Sequence, residues 1–211
     1  MPEHVRPYSQ NDLRAARDAF RLLFRNADLG DRPLRSPGVG LLLGPIRYGL
    51  NEDQYRALAS AAMAEGDTEC YLSYLCGYED DDREDVSADF ELAPHYRFDL
   101  RLFASLALGS AWSGMAEHAI YSPRGEWGVL VSLDHFGIAV GSEAFRSKLL
   151  DAPVLASSLE DVLGEWKDAR DRLQGRTAWV PTLLENVYGS ARAERILAQF
   201  REPPETWFRN G

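Results

Sequence analysis

Alternate residues from Trp127 read Trp127, Val129, Val131 and Leu133, with Gly128, Leu130, Ser132 and Asp134 between them. The alternation resumes as Phe136, Ile138 and Val140, interleaved with Gly137, Ala139 and Gly141. A period of two predicts a pair of strands. With a two-residue turn at Asp134-His135, Leu133 faces Phe136, Val131 faces Ile138 and Val129 faces Val140, giving one bulky apolar face. The other face then pairs Ser132 with Gly137, Leu130 with Ala139 and Gly128 with Gly141. A one-residue slip would mix the two sets, so the pattern favours this register. Asp-His fits a primed two-residue turn poorly, because such a turn wants positive φ at both positions; a longer loop is the alternative. The small face suits close approach by a helix, and a ligand could use the same space. Upstream, residues 116–121 read as a further strand, joined through Ser122-Pro123-Arg124-Gly125-Glu126, which has turn chemistry. An antiparallel meander of three strands is the simplest arrangement.

Elsewhere the period lengthens to that of helices. Residues 11–27 place Leu13, Ala16, Phe20, Leu23 and Phe24 on one face, with arginines opposite. Residues 28–49 are rich in glycine, proline and arginine and read as an irregular connection. Gly38-Val39-Gly40 is not followed by the Gly-Lys-Ser/Thr of a phosphate loop, nor does it belong to a full dinucleotide-binding pattern. A helix over 52–65 is marked by Asn51 as cap, Gln54 as capping-box partner and a Leu50–Tyr55 staple, with Gly66 as its stop. Residues 70–78 read as a strand, and 90–108 as a sheet extension followed by a short helix over 101–108. Further helices are predicted over 143–150, from Ser157-Ser158 onwards, and around 181–188 and 190–200. The third-last of these aligns Leu159, Val162, Leu163, Trp166, Ala169 and Leu173. The expected fold is a single α+β domain over 1–211. It has a mostly antiparallel sheet with a central meander (about 116–141), packed by N-terminal and C-terminal helices.

Composition changes this picture little: 211 residues, 45% hydrophobic and 27% charged, suit one globular domain. No stretch approaches the roughly 18 apolar residues of a membrane span. The opening Met-Pro-Glu-His-Val-Arg-Pro lacks the apolar run of a signal peptide, so a cytoplasmic location is expected. Cys70 and Cys76 are six residues apart, too far for a disulfide along an extended chain unless the chain bends at Gly77, and no metal-ligand spacing accompanies them.

Charge is more informative. A formal net charge of -10 disfavours nucleic acid and anionic membrane and favours a basic protein partner. The acid is concentrated: residues 79–91 read E-D-D-D-R-E-D-V-S-A-D-F-E, eight carboxylates against one arginine. One reading is a solvated loop. Another is a recognition surface for a basic protein, with Asp80, Asp81, Asp82, Glu84 and Asp85 as the partner-binding residues. A divalent cation is the third, but the alternating Asp80, Asp82 and Glu84 lack the glycine and distal glutamate of a calcium loop.

Candidate catalytic chemistry is sparse. Histidines stand at 4, 95, 118 and 135; Glu117-His118 and Asp134-His135 are sequence neighbours, whose side chains point to opposite faces of a strand. No H-E-x-x-H, G-x-S-x-G or Cys-x-x-Cys occurs. No catalytic, cofactor-binding or metal residue is predicted. A site assembled from distant residues would be sought at His95, Asp99, His118 and Asp134. Trp127 and Trp166 fit core stripes; Trp112, Trp179 and Trp207 suit either packing or an interface.

The run Ala119-Ile120-Tyr121-Ser122-Pro123-Arg124-Gly125-Glu126-Trp127-Gly128-Val129-Leu130, followed by Gly137-Ile138-Ala139-Val140-Gly141-Ser142 and Phe145, resembles stretches of small bacterial immunity-type proteins and of uncharacterised actinobacterial proteins. In those, a tyrosine-turn-tryptophan strand precedes a glycine-serine-phenylalanine entry into a helix. The resemblance implies a cytoplasmic protein that neutralises a cognate toxin by binding, without a cofactor or chemistry of its own. Two other classes stand beside it: a generic regulatory or structural protein-binding module, and a small enzyme with its site near His95, Asp99, His118 and Asp134.

Overall fold

The computed structural model describes residues 5–7, 10–25, 32–44, 46, 49–75, 95–103, 117–132, 135–155, 159, 161–164, 166 and 179–199. In chain order these form β1 (Val5–Pro7), α1 (Gln10–Leu23), β2 (Gly40–Leu43), α2 (Glu52–Ala64), β3 (Glu69–Leu75), β4 (His95–Asp99) and α3 (Leu100–Phe103). After these come β5 (Glu117–Tyr121), β6 (Gly128–Val131), β7 (Gly137–Val140), α4 (Glu143–Leu150), α5 (Val180–Tyr188) and α6 (Ser190–Gln199). Residues 161–164 and 166 are also helical. The strands make one sheet in the order β1-β4-β3-β5-β6-β7-β2, and every neighbouring pair is antiparallel. The fold is α+β, and β5-β6-β7 is the predicted meander.

Each face of the sheet carries a buried core. Leu42, Tyr71, Ala119, Tyr121, Leu130 and Ile138 share a core with α1, α5, α6 and the helical residues Val162, Leu163 and Trp166. Leu41, Cys70, Leu72, Phe98, Ile120, Val129 and Ala139 share the other with α2 and α4. N-terminal and C-terminal helices therefore cover one face, as expected, and helices from the middle of the chain cover the other. A sheet between two helical layers needs apolar residues at both parities, and β2, β6 and β7 are buried at every position.

That double burial corrects the hairpin register. Val129 pairs with Ala139, Leu130 with Ile138 and Val131 with Gly137, one residue from the predicted pairing. The Ser132 N–H donates to the Phe136 carbonyl at 2.8 Å, so the loop is residues 133–135, and His135 has a φ of 66°. A left-handed last residue suits a three-residue hairpin loop. With both faces apolar, slipping by one residue exposes nothing, so alternation alone does not set the register. The glycines expected on one face are consequently divided. A Cβ on Gly128 would lie 2.7 Å from Phe24 Cζ of the α1 layer, and one on Gly137 would lie 2.8 Å from Ile46 Cδ1 on the opposite side.

Residues 28–49, expected to be irregular, contain the edge strand β2, and α5 seals that edge. The Leu42 N–H donates to Tyr188 Oη at 3.1 Å. Asn186 accepts from the Leu34 N–H at 2.8 Å and donates back to its carbonyl at 3.2 Å, as a strand would. The outward Leu42 amide of β2 is thus satisfied by α5, as is the Leu34 backbone that precedes the strand. The α2 start is as predicted: Gln54 N–H donates to Asn51 Oδ1 at 3.0 Å, and Asn51 N–H donates to Gln54 Oε1 at 2.8 Å.

Candidate functional site

Three groups of polar and aromatic side chains stand out from the two cores. The first lies where α2 ends. Gly66, at φ 89°, turns the chain so that Asp67 enters β3 with its carboxylate directed inward. Asp67 Oδ2 accepts from Ser122 Oγ at 2.7 Å and from Trp127 Nε1 at 2.7 Å; Oδ1 accepts from Arg124 Nε at 2.9 Å. Arg124 also donates to the Glu65 carbonyl at 2.8 Å. A buried carboxylate is costly unless paired and hydrogen-bonded, and here it is both. Trp127 stacks on Phe145 of α4 at 5.3 Å, while Ser142 Oγ caps α4 by accepting from the Phe145 N–H at 3.0 Å. Gly125, at φ 67°, brings the turn so close to α1 that a Cβ would lie 3.1 Å from the Ala19 carbonyl oxygen. Ser122, Arg124, Gly125, Trp127, Ser142 and Phe145 all belong to the run that carries the immunity-type resemblance. In this fold they tie α1, α2, α4 and the β5–β6 turn into one corner, and their polar groups are engaged in doing so.

The second group lies on the α1 side of the sheet. His95 Nδ1 is 2.8 Å from Ser73 Oγ, which is 2.8 Å from Tyr121 Oη. Pairing of Ser73 with His95 across β3 and β4 creates the contact. A serine beside a histidine has the elements of a nucleophile and base. Ser73 is wholly buried, however, and its hydroxyl is bracketed by His95 and Tyr121. The chain of hydrogen bonds satisfies three core polar groups and offers no approach to a substrate.

Of the four residues named as a possible distant site, the three described ones, His95, Asp99 and His118, do not assemble. On β4, His95 has the parity opposite to Phe98, whereas His118 on β5 shares the parity of Ile120; the two histidines therefore lie on opposite faces. Asp99 accepts from the Arg101 N–H at 2.8 Å at the far end of β4. Asp134 lies outside the described residues. Cys70 is a free, buried thiol whose pKa burial pushes far above its usual 9.0, leaving it protonated and inert as a nucleophile. Cys76 lies outside the described residues. Among the described residues, no group of three or more histidines, cysteines and carboxylates could hold a metal ion, and no helix is long and apolar enough to cross a membrane.

The third group is aromatic and flanks the acidic run. Tyr74, near the end of β3, and Tyr96, near the start of β4, are both partly exposed. Their rings meet edge to face, with centroids 6.4 Å apart and planes at 85°. His118 lies 6.2 Å from Tyr74, and Phe98 lies 6.2 Å from Tyr96. Burial, reinforced by Tyr96, pushes the Tyr74 phenol up to about 12. The five predicted partner-binding residues, Asp80, Asp81, Asp82, Glu84 and Asp85, lie outside the described residues. Tyr74 and Tyr96 stand on neighbouring strands, with Ser73 opposite His95, and the acidic run lies between them in sequence.

Sequence reading missed Tyr74 and Tyr96 as a pair, and Asp67 as a hub. A tyrosine on each side of the acidic run was the available signal for the first; an acid just past a helix-stopping glycine was the signal for the second. Trp179, left open between packing and interface, packs: it stacks on Phe136 at 5.6 Å and meets Trp166 edge-on at 5.0 Å. No family model, no curated protein and no solved structure matches the chain.

Proposed function

We propose that the protein is a non-catalytic binding protein of the immunity type, which neutralises a toxin in the cytoplasm by holding a basic face of it. One observation carries the reading: the run with eight carboxylates against one arginine joins two paired strands and is flanked by partly exposed tyrosines. Carboxylates at Asp80, Asp81, Asp82, Glu84 and Asp85 steer a basic partner and select it, and aromatic anchors beside them supply affinity. The net charge of -10 adds a long-range field of the same sign.

The test starts from capture of partners from the native host and continues with the purified pair. Neutralising the five acids to Asn or Gln should slow association about tenfold or more at low salt, with little change at high salt, and leave the melting temperature in place. Co-expression with the captured partner should protect cells from it. A partner that is harmless to cells removes the immunity role and leaves a general binding module. Unchanged association kinetics remove the acidic surface from the interface.

A further inference from the structure

We draw no further inference here: the strongest candidate, the surface patch on α4 where the half-buried Arg146 has an Nε without a hydrogen-bond partner among the described residues and Leu150, one turn on, is exposed, carries nothing, because nothing in the structure shows what covers it.

Discussion

The indole N–H of Trp127 donates to the buried carboxylate of Asp67 across 2.7 Å, joining the β5–β6 turn to the connection between α2 and β3. The same oxygen accepts from Ser122, and the other from Arg124. Replacing Asp67 by Ala strands an indole, a hydroxyl and one arm of a guanidinium at once. Loss of one partner from a buried charged network costs about 3–5 kcal/mol. Arg124→Ala should cost less, about 1 kcal/mol, because the Arg124 side chain is 47% exposed and Asp67 keeps its other two donors. Urea unfolding of both variants checks the ranking; equal stabilities would show that the corner is not organised around Asp67.

Tyr188 guards the sheet edge through a single hydroxyl, which accepts from the Leu42 N–H. Tyr188→Phe leaves that N–H without its acceptor under the same aromatic ring. Leaving a buried donor unsatisfied costs about 1–3 kcal/mol. The Leu42 amide should also exchange with deuterium faster than its neighbours in β7. An unchanged melting temperature and unchanged exchange at Leu42 would mean that water replaces the phenol there.

These two contacts mark the boundary of what the sequence disclosed. The α2 helix was legible because its signals are local: Asn51, Gln54 and the Leu50–Tyr55 spacing lie within one turn. The meander was legible because alternation and a turn suffice to define it. The edge strand β2 was not, since four residues carry little pattern and its partner β7 lies far along the chain. Register failed for a related reason, as burial of both faces erased the distinction that alternation relies on. Among site residues, the acidic run announced itself by composition. Tyr74 and Tyr96 did not, because only the pairing of β3 with β4 brings them together. Likewise, nothing near Trp127 in the chain predicts that Asp67 is its acceptor.

Gly128 tests how tightly α1 is seated. A Cβ there would lie 2.7 Å from Phe24 Cζ and 2.9 Å from Leu23 Cδ1, and Phe24 is itself wholly buried. The Phe24 ring stands 5.0 Å from Phe20, which limits its retreat. Overpacking of this kind costs about 1–3 kcal/mol, so Gly128→Ala should lower the melting temperature although alanine suits a strand at least as well as glycine. A neutral or stabilising result would show that α1 can shift away from the sheet.

Alkaline pH should unfold the protein through its buried phenols and thiol. Burial raises Tyr55, Tyr71, Tyr74 and Tyr188 above the usual tyrosine value of 10.0, Tyr74 to about 12, and raises Cys70 above 9.0. In the unfolded chain these groups lose their protons near the ordinary values, so between the two sets of values the folded chain holds more protons. Stability then falls as pH rises. The stabilising contribution is fully present below about pH 9 and is progressively lost as pH climbs through 10 towards 12. Denaturant midpoints should accordingly be level from pH 7 to about 9 and decline above it. Tyrosinate absorbance should rise in two stages, the later one coinciding with loss of the near-ultraviolet circular dichroism. A single absorbance step near pH 10 with the fold intact would show that these phenols are open to solvent.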